Sequence, residues 1–330
     1  MEFRTIMDYP QANFSMSHSD NFLLLGSCFA ENIGSMMIDN KFHCELNPYG
    51  ILYNPFSISR ALREIISGKQ YTEKDLFFYR ECYHSYMHHG SFSAFTQDKC
   101  LTRVNEHLKR AHELCSTSMN YLIITFGTSW VYTLKETNEV VSNCHKLPAA
   151  NFIRRLLTVN EIVADYTSLI SKLLESRPSL KIVFTVSPIR HIKDGLHANQ
   201  ISKSTLLLAI DMLQKVFPNI VFYFPAYEIL MDELRDYRFY ADDMIHPSDM
   251  AIRYIWNTFA AFYFSKETTK IMQEYGDIHK ALSHKPFRRD SEEYKRFLGQ
   301  IVLKIKRLKE KYPYLDVEKE IELCHIQLNQ

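Results

Sequence analysis

Apolar residues gather into four short, nearly continuous runs along the chain. They are NFLLLG (21–26), YLIITFG (121–127), KIVFTVS (181–187) and NIVFYFP (219–225). Runs of this kind suit parallel strands covered on both faces, which have no solvent side toward which polar residues could alternate. Between them the apolar positions switch to helical spacing. FSISRALREII (56–66) follows Pro55, and VNEHLKRAHELC (104–115), VNEIVADYTSLISKLLES (159–176) and SKSTLLLAIDMLQKVF (202–217) continue the pattern. MAIRYIWNTFAAFYF (250–264) follows the last run. Strands alternating with helices predict an α/β fold with a parallel sheet and right-handed crossovers. Ligands of such sheets bind beyond the carboxyl ends of the strands. Ser27, Cys28, Thr128, Ser129 and Ser187 fall there.

The pattern breaks in two places. YHSYMHHGSFSAF (83–95) fits either a strand and loop or an insertion over the sheet edge. From about residue 265 the strands stop, and YKRFLGQIVLKIKRLKEKY (294–312) reads as a basic amphipathic helix, packed on its own domain in the favoured reading, with binding of a partner subunit or a place on the surface as alternatives. The expected organisation is an α/β domain over 1–265 followed by a C-terminal helical extension over 266–330.

Composition narrows the setting. The 330 residues are 46% hydrophobic and 23% charged, as in globular proteins, and the net charge of +1 gives no general attraction to nucleic acid or an acidic membrane. No apolar run is long enough to span a bilayer. The opening MEFRTIMDYPQANFSM lacks a basic segment followed by an apolar one, so no signal peptide is expected. The seven cysteines are scattered, odd in number and without a Cys-x-x-Cys pair, which argues against a disulfide framework or structural zinc and for the cytoplasm. His84, His88 and His89 have no carboxylate or cysteine at ligand spacing, so neither a metal nor another cofactor is expected.

Two stretches carry candidate chemistry. In LLLGSCFAENIG (23–34) an apolar run stops at Gly26, and Ser27 and Cys28 stand where a strand turns into a helix. A helix start offers free N–H groups and a positive dipole end, which favour a thiolate or a developing oxyanion. The structural alternative is Ser27 as a helix cap and Cys28 as a small buried residue. In YADDMIHPSDM (240–250), Asp243 and His246 are three residues apart, a spacing that lets a carboxylate hold one imidazole nitrogen while the other faces a nucleophile. The alternative is an exposed turn ahead of a helix capped by Ser248 or Asp249.

These stretches, together with NPYGILYNP (47–55), FGTSWVY (126–132), NCHKLP (143–148), TVSPIRH (185–191) and YEILMDELRDYRFYADDMIHPS (227–248), resemble the GSCFA family, called after the motif at residues 26–30. That family is similar to the SGNH hydrolases, a group of serine esterases and acyltransferases. The resemblance covers roughly residues 20–265 and implies a flavodoxin-like three-layer α/β/α fold. SGNH proteins open with Gly-Asp-Ser-Leu, often with a second glycine eight residues after the first. Laid ungapped on this chain, Gly26 and Gly34 match the glycines, Ser27 takes the Asp position and Cys28 the nucleophile's. A one-residue slip gives that role to Ser27. Gly50 matches the glycine whose amide serves the oxyanion hole. The Gly-x-Asn-Asp element is met at Gly127, with Ser129 where asparagine is usual, a departure that Asn143 or Asn54 could offset. Asp243 and His246 meet the final Asp-x-x-His unchanged.

The resemblance therefore implies an acyl-transfer enzyme, an esterase or acyl hydrolase, forming an acyl-enzyme on Cys28 or Ser27. His246 is the base, Asp243 its orienting carboxylate, and Gly50 and Ser129 the oxyanion donors. The alternatives are an O-acyltransferase acting on a glycan-like hydroxyl and a non-catalytic ligand-binding protein that keeps the fold. Either way the expected partner is a small-molecule or glycan acyl ester. Asn143, His145, Arg190 and His191 are candidate substrate contacts, Arg190 for a carboxylate or phosphate. Lys203 is a weaker candidate.

Overall fold

The computed structural model describes residues 5–8, 12–283, 288 and 291–328. Part of the N-terminal stretch read for a leader (1–4, 9–11) and part of the C-terminal extension (284–287, 289–290, 329–330) lie outside the described residues. In chain order, β1 (Asn21–Gly26) leads into α1 (Cys28–Asp39), β2 (His43–Leu46) and α2 (Pro55–Ser67). A hairpin, β3 (Phe77–Tyr79) and β4 (Cys82–His84), precedes α3 (Gln97–Thr117) and β5 (Met119–Phe126). Then come β6 (Trp130–Leu134), β7 (Glu139–Val141), β8 (Phe152–Leu156), α4 (Val159–Ser176), β9 (Lys181–Val186), α5 (Leu196–Val216) and β10 (Val221–Tyr223). After α6 (Ala226–Glu228) the chain ends in α7 (Asp249–Tyr263), α8 (Lys266–Ser283), α9 (Glu292–Lys311) and α10 (Glu318–Leu328).

Five strands form one parallel sheet in the order β10-β9-β5-β1-β2. Numbered among themselves along the chain they run 2-1-3-4-5, the flavodoxin-like doubly wound order. The period-2 alternation of strand side chains splits the core between the two faces. Leu23, Leu25, Leu122 and Ile124 pack with α2, α3, α4 and α5, whereas Phe22, Leu24, Tyr121 and Ile123 pack with α1 and α7. The three-layer α/β arrangement follows. Capping residues start these helices where the sequence changes character: Thr158 and Glu161 form a capping box at α4, and Asn54 with Pro55 opens α2.

The four apolar runs are the four inner and far-edge strands, the last shortened to Val221–Tyr223. The stretch 83–95 is a strand and loop, with Tyr83 bridging to Ala94. Helices α8, α9 and α10 enclose a hydrophobic cluster of their own, including Ile271, Tyr275, Leu298, Ile301, Ile305 and Cys324. The basic helix is α9, and its apolar stripe faces this cluster. The cluster is tied to the sheet domain by Lys41 with Glu320 at 2.8 Å and by His43 Nε2 donating to the Tyr314 carbonyl at 3.2 Å. Among the described residues no helix is long and apolar enough to cross a membrane, and all seven cysteines are free thiols.

Candidate active site

β1 is the point at which the sheet order reverses: β2 lies on one side of it and β5 on the other. The crevice that a doubly wound sheet opens there is where its ligands sit. Gly26 ends the strand with φ +147, and a Cβ on it would lie 2.3 Å from the Thr125 carbonyl oxygen of β5. Only a residue without a side chain fits between the strands. The turn is then held from the other side: the Gly26 N–H donates to Asn47 Oδ1 at 2.9 Å, and its carbonyl accepts from the Leu52 N–H at 2.9 Å.

Ser27 and Cys28 part company at this turn. Ser27 is the N-cap of α1, 1% exposed, with its Oγ accepting from the Phe29 N–H at 3.3 Å. Cys28 is the first helical residue and half-buried. Its N–H has no intrahelical carbonyl to bond, as at every helix start. Its Sγ lies 3.7 Å from Tyr53 Oη. Burial, with Cys28 beside it, raises the Tyr53 phenol above the ordinary tyrosine range. The Tyr53 carbonyl accepts the N–H groups of Gly127 and Thr128 at 2.8 and 3.0 Å, which ties the approach to α2 onto the end of β5.

Asp243 and His246 form a compact pair ahead of α7, which Ser248 caps. Asp243 Oδ1 accepts the N–H groups of Ile245 and His246, each at 2.9 Å, and Oδ2 accepts from His246 Nδ1 at 2.6 Å. These bonds, the backbone ones foremost, hold the Asp243 carboxyl down at about 2. With Nδ1 turned to the carboxylate, Nε2 is the ring nitrogen left to meet other partners. Both side chains are close to half exposed.

A cavity of about 400 Å³ brings these groups together: Ser27, Cys28, Tyr53, Asn54 and His246 all line it. Arg190 and His191 line it too, as the sequence anticipates for residues following a strand end. Burial and then the nearby Lys203 cation hold His191 neutral, down to about 4. Its ring meets Tyr53 edge-on at 6.0 Å. Lys203 lies beneath the cavity, 1% exposed, donating to the Gly127 and Ser187 carbonyls at 2.7 and 2.6 Å. Burial pulls its ammonium down to about 7.

Five of the expected residues do not line the cavity, and one of them, Asp243, reaches it only through His246. Gly50 turns with φ +74 against His89, and its N–H is already donated to the Asn47 carbonyl at 2.6 Å, so it has no N–H to offer an oxyanion. Ser129 is fully buried, and its N–H and Oγ both bond Ser202 Oγ, at 2.8 and 3.1 Å. Asn143 Oδ1 accepts from the His145 N–H at 2.8 Å, and His145 Nε2 donates to the Ser85 carbonyl at 2.8 Å, under the β3–β4 hairpin. Those two hold a loop and do not line the cavity. Conversely, Tyr53, Arg154 and Asp194 line it without having been singled out. Arg154 pairs with Asp194 and covers the Trp130 ring, its guanidinium carbon 4.1 Å from the centroid. Arg154 comes from β8, in the antiparallel sheet β7-β6-β8 that forms this wall.

A family model described as the GSCFA family matches residues 21–259, and one described as the GSCFA domain protein, C-terminal domain, matches residues 276–330. No curated protein matches the chain.

Proposed function

The chain belongs to the GSCFA family, and from that premise we propose that it is an acyl-transfer enzyme of the SGNH type with Cys28 as nucleophile. The observation that carries the reading is the shared cavity: the thiol at the start of α1 and an imidazole tethered to a carboxylate line one space. The sheet order supports it, because the candidate nucleophile follows the first strand at the point of reversal and the Asp–His pair follows the last. Cys28 is preferred to Ser27 because the serine hydroxyl is engaged as a cap and nearly inaccessible.

In this mechanism His246 Nε2 takes the Cys28 thiol proton as sulfur attacks the acyl carbonyl carbon. The C–S bond forms, and the carbonyl electron pair moves to oxygen. The Cys28 N–H at the helix start donates to that oxyanion, and the cavity-lining Asn54 amide, which keeps a second N–H beyond the one given to Ser57 Oγ, is the candidate for the place of Gly50 and Ser129. Collapse breaks the bond to the leaving alkoxide, which takes the proton from His246. Water, or a hydroxyl on a second substrate, then gives its proton to His246 and attacks the thioester, releasing acid or new ester and the free thiol. Asp243 keeps the ring oriented and steadies the imidazolium.

The test is a screen of short-chain acyl esters and acyl thioesters on wild type, Cys28→Ala, Ser27→Ala and His246→Ala, with and without a carbohydrate acceptor. Turnover lost in Cys28→Ala and His246→Ala and kept in Ser27→Ala supports the reading. Ligand binding unchanged in Cys28→Ala with no turnover in any variant makes the chain a binding protein instead. Product acylated on the carbohydrate makes it a transferase.

A further inference from the structure

Arg190 stands at a neck between two spaces. It lines the cavity with Cys28 and His246, and also an adjoining groove of about 460 Å³ with Ile192 and Tyr237. The guanidinium is half-buried, and its described side-chain hydrogen bond runs from an NH2 group to Met231 Sδ at 2.8 Å. A thioether is a weak acceptor. Among the described residues no carboxylate pairs with Arg190, in contrast to Arg154 with its Asp194. The charges lining the cavity are correspondingly unequal: Arg154, Arg190 and Lys193 stand against Asp194. Lys203 adds a further cationic site beneath when protonated, but its two carbonyl partners account for its position.

Partial burial of a guanidinium without a matching anion costs desolvation that its remaining N–H donors do not recover. An oxyanion supplies what is missing, and the planar fork of arginine accepts one with two parallel hydrogen bonds. We propose that Arg190 binds an oxyanion, a carboxylate or a phosphate, on the substrate of the acyl transfer described above, and so selects anionic substrates. The inference rests on the cavity being the substrate site.

Alkylation of Cys28 tests this without any acyl donor. Iodoacetamide and iodoacetate both form the S–CH₂ bond with loss of iodide, and only the second carries a carboxylate. The rates at Cys28 are read by mass spectrometry of the peptide that contains it, in the full chain. The expected result is an iodoacetate-to-iodoacetamide rate ratio about tenfold lower in Arg190→Gln than in wild type, with Arg190→Lys in between. A ratio that does not move across the three proteins overturns the proposal. A second measurement uses wild type alone: succinate and inorganic phosphate, at matched ionic strength, each compete for protection of Cys28 from iodoacetamide. Protection by succinate identifies a carboxylate, protection by phosphate a phosphate, and protection by neither overturns the proposal. A chain that turns over no ester but shows the ratio change keeps the anion site and loses the acyl-transfer reading. Ester turnover with an invariant ratio does the reverse.

Discussion

Cys28 Sγ and Tyr53 Oη face each other at 3.7 Å, the thiol on the first turn of α1 and the phenol on the approach to α2. The phenol can hydrogen-bond the sulfur and hold it in one position at the cavity wall. Tyr53→Phe should therefore slow alkylation of Cys28 by iodoacetamide at neutral pH by roughly fivefold, equivalent to about 1 kcal/mol. The thermal midpoint should stay within a few degrees of wild type, roughly what a 1 kcal/mol change permits. An unchanged alkylation rate would leave the phenol with a packing role alone.

Adjacent residues at the turn should separate stability from turnover. Ser27→Ala removes the cap of α1 and should cost about 1 kcal/mol in denaturant unfolding, while ester turnover persists. Cys28→Ala should leave unfolding within about 0.5 kcal/mol of wild type and abolish turnover. His246→Ala should lower kcat by roughly 10²–10⁴-fold, the usual contribution of a positioned acid–base group. The reverse pattern, turnover surviving in Cys28→Ala and lost in Ser27→Ala, would transfer the nucleophile's role to the serine.

Gly26 admits no side chain. With a Cβ 2.3 Å from the Thr125 oxygen, Gly26→Ala must push β1 and β5 apart or twist the turn. The expected loss is about 3 kcal/mol, the upper part of the range for overpacking and strained backbone. Equilibrium unfolding in urea measures it, and a loss below about 1 kcal/mol would mean the two strands separate easily.

Acid should unfold the protein early, through buried histidines. Burial holds His18, His145 and His191 down to about 4 and His88 to about 3. Each has its unfolded value near 6.5, so between roughly pH 6.5 and pH 4 the unfolded chain binds the extra proton. Stability is whole above that window and falls as pH drops through it, by about 1.4 kcal/mol per histidine per pH unit. Urea unfolding at a series of pH values should show the slope, and His88→Phe, on a ring stacked 4.4 Å from Tyr49, should flatten it by about a quarter. A flat profile down to about pH 5 would mean these rings are protonated in the fold.

The architecture was legible where burial alone decides conformation. The β1, β5 and β9 runs are apolar because both faces are covered, and their helices carry clear stripes. β2, a sheet edge reading His-Cys-Glu-Leu, has half-exposed residues and no such signature. The β6–β7–β8 sheet eluded the pattern for a related reason: Ile153 and Arg154 face outward or toward the cavity, so hydrophobicity marks only part of each strand. In the candidate site, the place of Cys28 at the head of α1 and the pairing of Asp243 with His246 were legible because each depends on a short local motif. That Gly50 and Ser129 lie outside the cavity was not legible, because their N–H groups are spent on a partner distant in sequence or on their own turn, Ser129 on Ser202 and Gly50 on Asn47. Arg154 reaches the cavity only through pairing across strands, which residue spacing does not encode.

Lys203 fastens the ends of β5 and β9 from below through the carbonyls of Gly127 and Ser187. Any substitution that disturbs this bolt trades away the fold along with the pocket. Lys193 and Ile245 line the same cavity away from that joint, so replacements there reshape its wall and leave the strand ends fastened.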